Sequence, residues 1–262
     1  TRTAGEYYSL LCREGVTVLN QTPSAFGQLI EAQGGSVERH HLRTVILGGE
    51  RLETGRLREW YEREQNRPTA LFNMYGITET TVHVTSYRVN AEDVDRVEWS
   101  PIGRRIRDVK TYILNENQEA SPVGVRGEMY VGGAGVARGY LERAELTAER
   151  FVPDGFGRGP GERSYKTGDV CRWTEEGEIE YLGRNDDQVK IRGYRIELGE
   201  IEARLREGPG VREAVVTAEE CGEAAKRLTA YYTGEEVGAE ALRAHLSSTL
   251  PEYMVPAAYV HL

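Results

Sequence analysis

The sequence is poor in the features that mark secreted, membrane-bound or disulfide-linked proteins. Its 262 residues contain three cysteines, Cys12, Cys171 and Cys221, which lie far apart. An odd number of distant cysteines is typical of free thiols in a reducing cytosol, since a disulfide framework needs pairs and a metal site needs close spacing. No apolar run approaches the ~20 residues of a membrane span. The first residues, TRTAGEYY, lack the basic and apolar regions of a secretory signal. We therefore expect a cytoplasmic protein without a membrane partner.

Positive charge is also in deficit. The 42 acidic residues outnumber the 33 basic ones, and the net charge is −9. Non-specific nucleic-acid binding would require a basic face, so no nucleic-acid partner is expected. The sequence shows no Ser/His/Asp arrangement, and its five histidines are not spaced as a metal cluster. With 39% hydrophobic residues, the chain can bury a core in one large or two ordinary domains.

The first hundred residues alternate strand and helix signals. The β-branched, apolar segments 16–21, 43–50 and 69–76 predict three buried strands. The stretch TPSAFGQLIEAQGG predicts a helix capped by Thr22, with Pro23 at its first position and an end at Gly34. The stretch ETGRLREWYEREQ predicts a second helix, with Leu57, Trp60 and Tyr61 on one face. This order indicates parallel βαβ units with right-handed connections.

Polar residues follow each of the three predicted strands. Asn20, the segment 48–50 and the segment 73–76 stand at the three strand ends. In open parallel sheets, ligands bind outside the carboxyl ends of the strands. We therefore expect these three stretches to converge on one crevice that holds a polar ligand.

The rest of the chain shows two further sequence patterns. Residues 101–185 alternate apolar and polar side chains between turns, which predicts antiparallel strands in a small barrel or curled sheet, with one helix over residues 143–151. Residues 186–262 predict a small α+β unit. The fold class is thus α/β plus α+β: a parallel part (1–100), an antiparallel barrel-like part (101–185) and a small mobile C-terminal domain. The step Asp186–Asp187, at the start of the C-terminal domain, fits either a hinge between this domain and the rest of the chain or an ordinary polar turn.

Several stretches allow both a functional and a structural interpretation. The glycine cluster at 131–141 leads out of a strand, which favours tight backbone geometry over a phosphate loop. Asp169, after a Thr-Gly turn, fits a ribose acceptor or an Asx turn. The basic stretch 183–202 fits a mobile loop that closes on a polyanion or a solvated charged strand.

The segment FNMYGITETTVH is the richest in candidate groups. A Thr78 hydroxyl can bind a phosphate oxygen, and a Glu79 carboxylate can hold Mg²⁺, which prefers oxygen ligands. Tyr75 can stack on a base, and His83 can act as an acid or base near neutral pH. Each also has an ordinary structural role available, as a turn residue, a solvated carboxylate, a core ring or a pocket wall.

Seven stretches, taken in order along the chain, resemble the amino-acid adenylation domains of non-ribosomal peptide synthetases. They are NQTPSAF, LGGERL, NMYGITETTVHVT, GEMYVGGAGVARGYL, YKTGDV, GRNDDQVKIRGYRIELGEIE and LPEYMVP. The resemblance implies that an amino acid attacks the α-phosphate of Mg·ATP to give an aminoacyl-adenylate and pyrophosphate. The acyl group then passes to the phosphopantetheine thiol of a peptidyl carrier protein. A condensation domain and a small activating partner protein are further partners of such enzymes.

The resemblance also assigns residues to roles. The implied catalytic residues are Thr78, Glu79 and Lys190, and Glu79 is also the implied Mg²⁺ ligand. Asp186 is the implied hinge. Lys190 and Gly193 lie on the loop that is implied to change faces between the two half-reactions. The implied nucleotide set, in which Asp169 and Arg184 contact the ribose, is Gly49, Glu50, Asn73, Tyr75, Gly76, Thr78, Asp169, Tyr181 and Arg184. The implied substrate pocket, similar to the family's pattern for threonine, is Asn20, Ile46, Gly48, Met74, Val82 and His83.

Some family elements are missing from the 262 residues. These are a Ser/Thr/Gly-rich phosphate loop, an upstream aspartate for the substrate's amino group and a lysine expected after LPEYMVP. We therefore expect a chain truncated at both ends, with an incomplete small domain and feeble adenylation by itself. Two alternatives stay open: an acyl- or aryl-CoA synthetase of the same superfamily, and a non-catalytic truncated binding module.

Overall fold

The computed structural model describes residues 3–96, 99–157, 159–191, 193–221 and 225–262. These residues divide into two compact units, Thr1–Asn185 and Asp186–Leu262. In the first unit the elements are α1 (Ala4–Arg13), β1 (Val18–Gln21), α2 (Pro23–Gly34), β2 (Thr44–Gly48), α3 (Arg58–Glu62), β3 (Ala70–Tyr75), β4 (Thr85–Val89), β5 (Pro101–Arg105), β6 (Val109–Leu114), β7 (Gly127–Gly133), α4 (Ala144–Arg150), β8 (Phe151–Pro153), β9 (Arg163–Trp173) and β10 (Ile179–Arg184).

The strands of the first unit form one mixed, ten-stranded sheet. Its order is β1-β2-β3-β4-β5-β10-β9-β7-β6, with β8 paired to β9. Strands β1, β2 and β3 are parallel, as predicted, and the remaining pairs are antiparallel. The second part is antiparallel, as predicted, but its described residues do not form the small barrel that was one of the two expected arrangements. Within the described residues, the sheet is open. Because β4 pairs with both β3 and β5, and β5 pairs with β10, the antiparallel strands continue the parallel sheet.

Helix α2 is the clearest match between sequence and structure. It runs from Pro23 to Gly34, and the Thr22 hydroxyl accepts a hydrogen bond from the Ala25 amide. Proline at the first position loses no helical hydrogen bond, because that amide would have no partner in the helix. Phe26 and Leu29 are buried against the parallel strands. The helix thereby fixes the edge at which β1 and β2 end.

The second predicted helix is much shorter than expected. Only Arg58–Glu62 is α-helical, between 3-10 turns at Thr54–Leu57 and Glu64–Asn66. Trp60 is buried as predicted, but Arg63 leaves the helix with an extended backbone. Its guanidinium donates to the Ile30 carbonyl and the Gln33 side chain. Tertiary hydrogen bonds to α2 therefore override the helical pattern.

Helix α1 was not predicted, although the sequence carries its signal. Thr3 and Glu6 form a reciprocal capping box, in which the Thr3 hydroxyl accepts from the Glu6 amide and the Glu6 carboxylate accepts from the Thr3 amide. Tyr8 and Leu11 pack into the same core as α2. His40 stacks on Trp60 with ring centroids 5.3 Å apart.

The second unit is a separate α+β fold with its own core. Ile201 and Leu205 of its first helix and Leu242 and Leu246 of its second helix are buried against one face of a three-stranded sheet. Its elements are β11 (Gln188–Ile191), β12 (Tyr194–Glu197), α5 (Leu198–Arg206), β13 (Val211–Cys221), β14 (Ala225–Gly234), α6 (Ala239–Ser247) and β15 (Ala258–His261). Among the described helices of both units, none combines the length and apolar character needed to cross a membrane.

Candidate active site

The parallel strands place four predicted pocket residues on one face of the sheet. In the strand register, Asn20 lies beside Ile46, and Gly48 lies beside Met74. Side chains alternate between the two faces of a strand, and the neighbours Leu19, Leu47 and Asn73 point to the opposite, buried side. The sequence pattern therefore separates a half-exposed pocket face from a buried face that carries Asn73 and Tyr75.

His83 completes this face through a tightly packed loop. A Cβ atom built on Gly48 would lie 3.8 Å from His83 Cε1 and 3.0 Å from the Met74 carbonyl oxygen. At Gly76, a Cβ atom would lie 1.5 Å from the Val82 carbonyl oxygen. The returning chain thus touches the end of β3, and only glycine leaves room for this approach.

The segment between Ile77 and His83 is conformationally strained. Thr81 and Val82 have φ values of 59° and 70°, a left-handed geometry that β-branched residues rarely adopt. Thr78 is exposed, and Val82 is 61% exposed. The Thr81 hydroxyl donates to the Gly135 carbonyl at 2.7 Å, which ties this segment to the glycine cluster. Strain of this kind concentrates at functional sites.

Asp169 is the centre of a buried polar cluster. Its side chain is 0% exposed, and Oδ1 accepts from Arg184 Nη1 at 2.7 Å. Oδ2 accepts a short hydrogen bond from the Tyr75 hydroxyl, and the Tyr75 and Tyr181 ring centroids are 6.4 Å apart. Four residues of the predicted nucleotide set, from β3, β9 and β10, therefore lie together.

Thr167, Gly168 and Asp169 lie inside strand β9, and not in the predicted Thr-Gly turn. The Asp169 amide donates to the Thr167 hydroxyl at 3.0 Å, and that hydroxyl donates to the Met129 carbonyl. The intervening Gly168 has φ 75°, and its amide donates to Glu128 Oε1. Since Thr167 and Glu128 hold the backbone of β9 here, the Asp169 carboxylate is left to bond Tyr75 and Arg184.

Burial controls the protonation of the two tyrosines in this cluster. Removal from water, followed by the negative charge of Asp169, raises the pKa of Tyr75 well above its ordinary value. The same two causes, in the same order, raise the pKa of Tyr181. Desolvation penalises the phenolate form. Tyr75 therefore remains a hydrogen-bond donor to Asp169 at every physiological pH.

Glu79 lies in a second cluster, formed with two tyrosines. Its Oε1 atom accepts from the Tyr140 hydroxyl at 2.7 Å and from the Tyr165 hydroxyl at 3.0 Å. The Glu79 carbonyl also accepts from the Ala137 amide at 2.8 Å. The glycine cluster thus braces the Glu79 segment, in agreement with the interpretation of 131–141 as tight backbone geometry.

Two predicted nucleotide residues have structural partners. The buried Asn73 amide group donates to the Pro101 carbonyl at 2.7 Å, which links β3 to β5. Glu50 accepts from both the amide and the hydroxyl of Ser24, each at 2.9 Å, at the start of α2. Directly before Glu50 in the chain, Gly49 has φ 84°, which lets the backbone turn away from the end of β2.

The remaining predicted residues belong to the second unit. The Asp186 carboxylate accepts from the Gln188 amide at 3.3 Å, an Asx-type turn at the start of the unit. Lys190 lies on β11 opposite Arg195 of β12, and Gly193 has φ 80° in the connecting turn. Residues 188–197 of the basic stretch therefore form a β-hairpin, which agrees with the charged-strand alternative.

Four residues of these clusters were not predicted from the sequence: Tyr140, Tyr165, Thr167 and Glu128. Each stands inside a stretch that was recognised, GEMYVGG, ARGYL or YKTGDV. In the sequence, these residues are marked by their position inside a recognised motif. Their hydrogen-bond partners, however, are 25 to 86 residues away along the chain. Contacts of that separation become visible only in the fold.

Comparison with known proteins matches this chain to the family described as AMP-binding enzyme over residues 1–141. The chain belongs to that family. It is 50% identical over 280 residues to malpinin synthetase of Mortierella alpina and 49% identical over 266 residues to a dimodular nonribosomal peptide synthase of Bacillus subtilis (strain 168). These matches cover 100% and 99% of this chain, but 4% and 11% of the relatives.

A solved structure has the same fold. PA1221, described as an NRPS protein containing adenylation and PCP domains, superposes with a TM-score of 0.83 at 30% identity. The match covers 100% of this chain and 51% of PA1221. The chain therefore spans about half of this structural relative, and a small part of the two synthetases.

Proposed function

We propose that this chain forms part of an adenylation domain of a non-ribosomal peptide synthetase. In this proposal, an ATP-dependent ligase activates an amino acid to aminoacyl-AMP and releases pyrophosphate. The observation that carries it is the buried cluster of Tyr75 at the end of β3, Arg184 at the end of β10 and Asp169 inside β9. A carboxylate held in place by hydrogen-bond donors is a suitable acceptor for ribose hydroxyls.

In this proposal, the nucleotide binds beside the cluster of Tyr75, Asp169 and Arg184. Asp169 has two carboxylate oxygens with about four acceptor positions, and Tyr75 and Arg184 occupy one on each oxygen. Ribose hydroxyls take the others, once Arg184 moves to admit them and contacts the ribose itself. Tyr75, Tyr181, Gly76 and the backbone of 48–50 surround the base. Asn73 contributes by linking β3 to β5 under the site.

Glu79 and Thr78 form the phosphate end of the site. Glu79 supplies carboxylate oxygens, which Mg²⁺ prefers, and Mg²⁺ is commonly held by one or two carboxylates plus substrate phosphates. A single carboxylate fits that pattern, since the described residues contain no group of three or more metal-ligating side chains. When bound, Mg²⁺ neutralises phosphate charge. The exposed Thr78 hydroxyl contacts a phosphate oxygen.

The chemistry asked of these residues is mainly positioning. A substrate carboxylate and a triphosphate repel each other, so reaction requires that they be held in line while the developing negative charge is stabilised. Arg184 and Tyr75 orient the nucleoside through Asp169. Lys190, on the hairpin of the second unit, acts in the change between the two half-reactions, and Asp186 is the hinge of that change. The acceptor is the phosphopantetheine thiol of a peptidyl carrier protein.

Threonine is the proposed substrate. Asn20 and His83 offer hydrogen bonds to a hydroxyl, while Ile46, Met74 and Val82 provide apolar wall for a methyl group. Gly48 leaves the room that a side chain would fill. A site that bonds a hydroxyl should reject valine, because the bound side chain would cover these polar groups and leave them unpaired. Serine loses one methyl contact, about 1–3 kcal/mol.

The wider assignments follow from the same proposal. Residues 1–185 belong to the large core domain and residues 186–262 to the small, mobile domain. A condensation domain and a small activating protein are proposed as further partners, by resemblance alone.

Amino-acid-dependent exchange between ATP and pyrophosphate tests this function. We would measure it on the 262-residue chain and on a fusion in which this chain replaces the matching segment of the Bacillus subtilis relative. Thr, Ser, Val, allo-Thr and Asn would be compared. We expect threonine-led exchange in the fusion, and an Asn20→Ala fusion should lose most of its preference for threonine over valine.

The outcomes separate the parts of the proposal. Exchange led by another amino acid would retain the adenylation function and reject the threonine pocket. Turnover only with carboxylic acids and coenzyme A would reject the peptide-synthetase assignment in favour of an acyl-CoA synthetase. Binding of a carrier domain without any turnover would reject catalysis.

A further inference from the structure

Three oxygen atoms form a compact triangle beside the strained segment. Glu79 Oε1 lies 2.7 Å from the Tyr140 hydroxyl oxygen and 3.0 Å from the Tyr165 hydroxyl oxygen, and the two hydroxyl oxygens are 2.8 Å apart. Glu79 is 9% exposed and Tyr165 is 0% exposed. The residues come from three separate parts of the chain, so only the fold brings them together.

Hydrogen counting shows how the triangle constrains the carboxylate. Each tyrosine hydroxyl has one proton to donate, and an ionised carboxylate only accepts. When Glu79 is ionised, both protons are best directed at Oε1, because hydrogen bonds to a charged group are roughly twice as strong as neutral ones. Two donors from different directions fix the position of Oε1, and they thereby limit the rotation of the carboxylate.

The tyrosine rings are themselves held by packing. Phe151 contacts both rings edge to face, with centroids 5.3 Å from Tyr140 and 4.9 Å from Tyr165. Ile77, two residues before Glu79, belongs to the same apolar cluster. Rings fixed in this way lose little further freedom when they donate, so their hydroxyls are preorganised.

The backbone of Tyr140 is also fixed. Its amide donates to the Thr147 hydroxyl of α4 at 2.9 Å. The preceding Gly139 has φ 149°, and a Cβ atom there would lie 2.5 Å from Thr147 Cγ2. Arg163 donates to the Ala137 and Arg138 carbonyls. The backbone of the glycine cluster therefore holds Tyr140 in a fixed position next to Glu79.

We propose that Tyr140 and Tyr165 are positioning residues that orient the Glu79 carboxylate toward the metal and phosphates. This inference rests on the proposed function, and it gives the glycine cluster a task, which is to support that carboxylate. The tyrosines act through Glu79 and do not contact the reacting atoms. Partners of a metal-binding carboxylate are expected to change metal affinity when they are removed.

Direct metal binding tests this role without relying on turnover. Mn²⁺ binding to the 262-residue chain would be measured by electron paramagnetic resonance, in the presence of a non-hydrolysable ATP analogue. Tyr140→Phe and Tyr165→Phe keep the rings and remove the hydroxyls, and each should weaken Mn²⁺ binding by about 10- to 100-fold. Tyr61→Phe is the matched control, because its hydroxyl donates to the Val89 carbonyl at 2.8 Å, away from Glu79.

A second set of variants separates positioning from general stability. Glu79→Gln should weaken Mn²⁺ binding more than either tyrosine variant. Adding Tyr140→Phe to Glu79→Gln should change little, since the effect of Tyr140 passes through the carboxylate. In the fusion protein, the tyrosine variants should raise the Mg²⁺ concentration needed for half-maximal exchange, whereas Tyr61→Phe should not.

The result has three clear outcomes. Weakened metal binding in both tyrosine variants, with thermal unfolding like that of Tyr61→Phe, supports the positioning role. Unchanged metal binding in folded tyrosine variants overturns it and leaves the proposed function intact. Absence of binding in the unaltered chain, together with absence of exchange in the unaltered fusion, overturns the proposed function and this inference with it.

Discussion

Asp169 and Arg184 are direct cross-strand partners on β9 and β10, and their side chains form a 2.7 Å ion pair. The pair is nearly closed to solvent, with side-chain exposures of 0% and 7%. A charge buried in this way needs its partner, because an isolated ion in the interior is strongly unfavourable. The pair therefore combines a structural task, which is to hold two strands, with the proposed binding of ribose.

Neutralising the carboxylate should be costly. Asp169→Asn keeps the size of the side chain but leaves the Arg184 guanidinium without its counter-ion, so we expect a loss of about 3–5 kcal/mol in the free energy of unfolding. Urea denaturation measures this. Asp95→Asn is the control, because its pair with Arg58 is 72% and 52% exposed and should contribute about 0–1 kcal/mol. Equal effects of the two substitutions would contradict a buried, essential pair.

Alkaline pH should destabilise the protein through its buried tyrosines. Burial raises the pKa of Tyr8 and of Tyr61 from 10.0 to about 12, while the unfolded chain keeps ordinary values. Between pH 10 and 12 the unfolded state therefore binds fewer protons than the folded state. Stability falls with rising pH, by about 1.4 kcal/mol per pH unit for each such group.

Two measurements together check the alkaline prediction. Denaturant unfolding between pH 8 and pH 12 should show constant stability at first and then a decline above pH 10. Tyrosinate absorbance should rise in part with the exposed tyrosines and in part only on unfolding. Stability that holds constant to pH 12 would show that these tyrosines ionise alike in both states.

Gly76→Ala should disrupt the end of β3. Its Cβ atom would lie 1.5 Å from the Val82 carbonyl oxygen, so the loop must move, at an expected cost of about 1–3 kcal/mol. Gly27→Ala is the control, since a Cβ atom there meets nothing within 4 Å, and alanine in a helix should gain about 1 kcal/mol. Thermal unfolding compares them, and opposite signs are expected. A neutral Gly76→Ala would show that the loop accommodates the methyl group.

Val82→Gly should release strain at the candidate pocket. Removing the side chain relieves a left-handed penalty of about 1–2 kcal/mol, which roughly offsets the greater entropy of glycine in the unfolded chain. Stability should therefore stay within about 1 kcal/mol by these two terms. Val84→Gly, at a fully buried position, should lose about 2–4 kcal/mol. A comparable loss in both variants, measured by urea denaturation, would mean that Val82 is not strained.

Local sequence signals determined the elements that depend on neighbouring residues. Thr22, Pro23 and Gly34 define α2 because caps, fixed φ angles and missing side chains act within one helical turn. The three apolar segments define strands because β-branched and apolar residues favour the pleated, half-buried surface of a sheet. The family resemblance was recognised from the order, residues and spacing of the motifs, because all three can be read directly from the sequence.

Tertiary structure decided what depends on contacts between distant segments. The predicted helix after Glu53 is broken because Arg63 bonds to Ile30 and Gln33 across the core. The antiparallel strands join the parallel sheet through β4, a connection with no local signal. Tyr140 and Tyr165 meet Glu79 for the same reason: hydrogen bonds between residues 61 and 86 positions apart are set by packing, which no stretch of sequence specifies alone.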